Sequence, residues 1–172
     1  MANTFTAIAT TTVGSGGAAN IEFTSIPATY TDLVVKYSLR TNETGAIYTD
    51  ISIQLNSTNS SNGKVLYAIL GTTIGSYSTT AAQSFFAMAN GAGSTASTFG
   101  NGEIYIPNYT SSANKPISGD NVVENNGTDN GMTLSAGLYS VNSAITSFKL
   151  TPAASNSFVQ YSTATLYGIK NA

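Results

Sequence analysis

Residues 32–40, DLVVKYSLR, constrain the fold more than any other segment, because their side chains alternate. Leu33, Val35, Tyr37 and Leu39 share one face, and Asp32, Val34, Lys36, Ser38 and Arg40 share the other. A period of two is that of a half-buried strand. Just ahead lies a second extended piece, Ile21–Pro27. Pro27 fixes its own φ, lacks an N–H and keeps Ile26 extended, which suits a corner and not the interior of a ladder. Residues 21–40 therefore read as two strand segments joined by a tight corner, with Tyr30 covering it as part of the core.

Similar patterns recur on both sides. Thr4–Val13 reads as a first strand ended by Gly14-Ser15-Gly16-Gly17, and Ile51, Ile53 and Leu55 alternate with Ser52, Gln54 and Asn56 in another. Ser57–Gly63 reads as a polar loop, Val65–Leu70 as a strand, and Gly71–Thr80 as a loop. Ala81–Ala89 reads as a strand, a short helix being the alternative. Asn90–Asn101, poor in bulky side chains, reads as a surface excursion. Gly102–Tyr109 resumes a strand, with Ile104 and Ile106 on one side and Tyr105 on the other. Ser118–Gly131 predicts a hairpin turned at Asn126-Gly127 or Asn130-Gly131. Met132, Leu134, Ala136 and Leu138 then alternate with Thr133, Ser135 and Gly137, and Ala144–Leu150 and Phe158–Lys170 supply the last strands.

Eight to ten short strands with almost nothing of period 3.6 predict an all-β fold: a single antiparallel β-sandwich over residues 1–172, jelly-roll-like. Residues 1–20 form a strand or arm in reach of a neighbour. A chain of 172 residues is long enough to bury a core without cross-links, and with no Cys it has none.

The same composition narrows the chemistry. Without His or Cys, serine and cysteine triads, imidazole bases and zinc sites of the usual kinds are excluded. The acids are Glu22, Asp32, Glu43, Asp50, Glu103, Asp120, Glu124 and Asp129, and no spacing pairs two of them as glycoside hydrolysis requires. Asp120, Glu124 and Asp129 cluster, but not at calcium-loop spacing, and read as turn residues. The Gly14–Gly17 run lacks the Lys-Ser/Thr of a phosphate cradle. Asn42, Asn56 and Asn108 open glycosylation-type triplets of the sort that a Ser/Thr/Asn-rich chain produces by chance. No catalytic, cofactor-binding or metal-binding residue is assigned, and the chain reads as a non-enzyme.

Charged residues make up only 8% of the chain, against about 25% in an average domain. Lys36, Arg40, Lys64, Lys115, Lys149 and Lys170 are scattered, which argues against nucleic acid as a partner. No secretory signal and no long apolar run is present, so a soluble protein without a membrane partner is expected. Tyr37, Tyr48, Tyr67, Tyr77, Tyr105, Tyr109, Tyr139, Tyr161 and Tyr167 would offer stacking surfaces to a sugar, or fill a core or a subunit contact.

Two stretches, GSGGAANIEFTSIPATYTDLVVKYSLRTN and AITSFKL followed by FVQYSTATLYGIK, resemble small virion structural proteins of tailed bacteriophages. The resemblance implies a jelly-roll-like sandwich on the outside of the particle. The expected role is a capsid decoration or cement protein on the virion surface, bound to the major capsid protein and self-associating as a homotrimer. The alternative is a tail or tail-fibre component that binds a host surface glycan.

Overall fold

The computed structural model describes residues 5–57, 61–69, 73–79, 84–126 and 129–170. Among them the chain forms twelve strands and no α-helix. The first six are β1 (Phe5–Thr12), β2 (Ile21–Phe23), β3 (Asp32–Leu39), β4 (Tyr48–Leu55), β5 (Ser61–Ile69) and β6 (Thr73–Thr79). The second six are β7 (Ser84–Asn90), β8 (Gly100–Ile106), β9 (Lys115–Glu124), β10 (Asn130–Tyr139), β11 (Phe148–Pro152) and β12 (Thr163–Ile169).

Two antiparallel sheets result, an eight-stranded one ordered β1-β12-β3-β8-β9-β10-β5-β6 and a four-stranded one ordered β2-β11-β4-β7. Setting aside β5, β6, β9 and β10 leaves β1-β12-β3-β8 facing β2-β11-β4-β7. That is the eight-stranded double-sheet order of a jelly roll. The expected all-β sandwich is the observed one. The pairs β5–β6 and β9–β10 are insertions, and both extend the large sheet beyond β8.

Residues 21–40 carry the chain from one sheet to the other, β2 lying in the small sheet and β3 in the large. Leu33, Val35 and Leu39 point between the sheets towards the level of Ile51, Ile53 and Leu55, and all six are essentially inaccessible. Each such side chain contributes about 1.5–3 kcal/mol by leaving water. At the corner the Tyr30 ring lies over Gly168 of β12, where an added Cβ would fall 2.3 Å from the ring. Tyr30 is half-buried at the rim of the core and not within it as expected, because the sheet ends there. Tyr30→Ala should therefore cost about 2 kcal/mol in urea unfolding, below the full value for a buried aromatic. A loss under about 0.5 kcal/mol would show that the ring does not seal the corner.

Several boundaries differ from the sequence expectations, and pairing explains each. Ser61–Gly63 and Thr73–Thr79 are strand, not loop: β10 offers a ladder as far as Tyr139↔Ser61, and β5 in turn pairs with β6. Tertiary pairing here overrides weak local propensity. Asn130-Gly131 lies inside β10, and the left-handed turn position belongs to Asn126 (φ 58°). Ala81–Ala89 is strand from Ser84 onward, its first residues lying outside the described ones. The final strand starts only at Thr163, because Tyr161 (φ 72°) breaks the extended backbone. Of Ala144–Leu150 only the last three residues join β11.

In β10 the alternation is reversed relative to polarity. Met132, Leu134 and Leu138 face solvent, while Thr133, Ser135 and Tyr139 are buried. Strand β7 lies across the inner side of β9, β10 and β5. On that side Asn121 Nδ2 donates to Thr133 Oγ1. At the other end of β9, Lys115 is fully buried and donates to the carbonyls of Val141 (3.1 Å) and Ser143 (2.5 Å). Loss of water pushes its ammonium pKa down.

Candidate functional site

The outer face of the small sheet carries a furrow of about 630 Å³. It meets a second hollow of about 360 Å³ at Ala153 and Ala154, over Ser52, Gln54 and Thr151. Its floor is β4, whose outward positions Tyr48, Asp50, Ser52 and Gln54 follow from the period of two. One wall is the turn Pro152–Asn156, in which Ala154 (φ 56°) and Ser155 (φ 59°) are left-handed. The other wall is made where residues 43–47 cross the loop after β7. Gly91 N–H donates to Ile47 O (2.8 Å), and Ala92 N–H donates to Glu43 O (2.6 Å). The two backbones touch so closely that a Cβ on Gly91 would lie 2.3 Å from Ala46 O.

That second loop, residues 91–99, lies within the Asn90–Asn101 stretch expected as a surface excursion; Ala92, Gly93, Thr95, Ala96 and Ser97 are exposed, while Asn90, Gly91 and Ser94 are buried and tie the excursion to the body. Arg40, read from sequence as one of several scattered cations, holds it there. Its guanidinium donates to the carbonyls of Ser94 (3.1 Å), Thr95 (2.8 Å) and Thr98 (2.8 Å). No local pattern announces this, because its partners are backbone atoms more than fifty residues away.

At the furrow rim Glu43 accepts the Gly45 N–H (2.8 Å) and the Asn156 side-chain amide (2.6 Å). The Gly45 bond first, and the Asn156 bond second, hold its carboxyl below the usual carboxylate range. Burial acts the other way on Asp50 and raises its pKa. Burial and then the Asp50 charge raise that of the Tyr48 phenol. The signs for stability are opposite. Glu43 stabilises the fold above its unfolded pKa, and that contribution disappears as pH falls through its lower folded value. Asp50 destabilises the fold at neutral pH, and the loss is recovered as pH falls through its raised folded value. NMR titration should find Glu43 below and Asp50 above an ordinary carboxyl. Asn156→Ala should bring Glu43 only part of the way back, the Gly45 bond being the stronger influence; a full return, or none, would contradict this ranking.

The other residues weighed from sequence fall elsewhere. Glu103 pairs with Lys36 at 2.6 Å on the exposed face of the large sheet. Asp32 accepts the Tyr105 hydroxyl (3.0 Å) and the Asn108 N–H (2.8 Å). Glu124 accepts the N–H groups of Asn125 and Asn126 and so organises the β9–β10 turn. Asn56 is saturated by Ala144, Thr146 and Ser147 in a structural clasp. Tyr37, Tyr109 and Tyr139 are buried, which leaves them no role as stacking platforms, and the Tyr77 side chain lies outside the described ones. Among the described residues no group of three or more acids gathers as a metal site.

Fold and surfaces together define a jelly-roll sandwich enlarged by two inserted strand pairs, with a furrow that carries hydroxyl, amide and carboxylate groups on one sheet and an apolar patch on the outer face of the inserted strands of the other. The chain matches no protein-family model and no curated protein.

Proposed function

We propose that the chain is a virion structural protein of a tailed bacteriophage. In this reading it is a decoration or cement protein that binds the major capsid protein and its own copies on the outer head surface and stabilises the shell. The observation that supports the reading best is the outer face of the inserted strands. Leu66, Ile74, Val122, Met132, Leu134 and Leu138 are there between 40% and 85% exposed. Apolar patches of this kind mark contact surfaces. Jelly rolls serve in capsid shells and in lectins, an analogy of fold alone. Purified protein added to heads that lack it should bind and raise their rupture temperature. Heads that neither bind it nor gain heat resistance would refute the proposal.

A second reading, a tail or fibre component that binds a host glycan, is favoured by the furrow, where Tyr48 stands beside Asp50 and the Glu43–Asn156 clasp. Binding to host cells that is lost on Tyr48→Ala would support it over the first.

A further inference from the structure

We infer that the outer face of β5, β6, β9 and β10 is covered by the same face of a second copy of this chain, a two-fold contact and not the threefold one that the resemblance implies. The inference rests on the self-association in the reading above and not on the head as its place of work.

Register builds the face. Val122, Met132, Ala68 and Ile74 lie side by side in one cross-strand row. Asp120, Leu134, Leu66 and Ser76 form the next. Ile74 is 85% exposed, and Leu66 and Leu134 are each 57% exposed. A hollow of about 330 Å³ between Ala68, Val122 and Met132 gives the face relief into which a side chain fits.

The orientation is specified. A one-residue slip between β9 and β10 would turn Met132 and Leu134 inward and Thr133 and Ser135 outward. The unbroken ten-residue register from Lys115↔Tyr139 to Glu124↔Asn130 holds the apolar set outside.

Area and charge select the occupant. The six exposed apolar side chains present roughly 600 Å², most of the about 800 Å² that each partner gives to a standard interface. Asp120 is the one ionisable group in these two rows, but Glu103 lies beside it, Lys64 falls in the next row and Glu124 lines the hollow, so charges of both signs border an apolar centre and a second copy can set unlike charges against each other. The face is apolar against apolar, and its own best complement. Beside it β6, TIGSYST, ends the sheet without a charge or proline, an edge that monomeric proteins usually blunt.

The test uses the purified full chain. Sedimentation velocity across a concentration series should show assemblies heavier than 17.7 kDa. Leu134→Lys should weaken association by about 30-fold or more, the scale of an interface hot spot. Circular dichroism and thermal midpoint should stay close to the parent, since the side chain is exposed. Because the chain has no Cys, Leu134→Cys supplies a single thiol, which a flexible bis-maleimide should cross-link to its counterpart in the second copy, whereas Glu22→Cys on the other sheet should stay uncross-linked. This cross-link decides the matter if the lysine variant fails to fold. A monomer at every concentration, or an assembly indifferent to Leu134→Lys and without the cross-link, overturns the inference. A monomer that binds heads through Leu134 assigns the face to the capsid protein, overturning the inference and sparing the head reading. A Leu134-dependent assembly that binds no head sustains the inference and defeats that reading.

Discussion

Phe158→Ala is expected to cost about 3–5 kcal/mol, the range for truncating a fully buried aromatic. The ring is inaccessible within the main core, yet it does not sit on a regular strand. The backbone of Phe158 exchanges hydrogen bonds with Ala18 (2.8 and 3.0 Å) and bridges Thr41, so two distant segments converge on it. Because those backbones are tied together, they cannot collapse into the space the ring leaves, and the cavity persists. The midpoint of urea unfolding should fall while its slope stays the same, as when stability changes without a change in the surface exposed. A loss under about 1 kcal/mol would mean that the convergence is held by its backbone bonds alone.

Arg40→Met should cost about 2–3 kcal/mol, because it strands carbonyls that the charged guanidinium satisfies. Arg40→Lys should recover only part, since a single ammonium cannot span Ser94, Thr95 and Thr98 as a planar fork does. The loss has an address. Hydrogen exchange should quicken across residues 91–99, the wall of the furrow, and stay unchanged in β9 and β10. Uniform quickening would show that Arg40 supports the whole fold and not this loop.

These two residues mark where reading the sequence stops. Alternation in Leu33, Val35, Tyr37 and Leu39 is legible because one face of β3 is core and the period of two is a local property of the backbone. The same alternation in β10 gives the correct strand but not the direction in which Met132 and Leu134 point, since period carries no sign. Polarity alone would turn them inward; the register with β9 and the cover from β7 turn them out. Ser61–Gly63 and Thr73–Thr79 look like loops because their propensity is weak, and only their partners β10 and β5 make them strands. Arg40 and Asn156 act through atoms far away in sequence, so neither carries a local motif. Of the furrow and its neighbouring hollow, only Ser52 and Gln54 belong to an alternation that sequence shows; Tyr48 and Asp50 extend the strand ahead of it, Asn56 (φ 50°) lies beyond its end, and nothing local marks the row as the floor of a concavity.

An electron-microscopic map of phage heads mixed with the purified chain would decide whether this sandwich works in a virion shell. Regular density over the head, with the outer face of β9 and β10 turned against a neighbouring copy, is the predicted result. Density confined to the tail, or particles that remain bare, would contradict it.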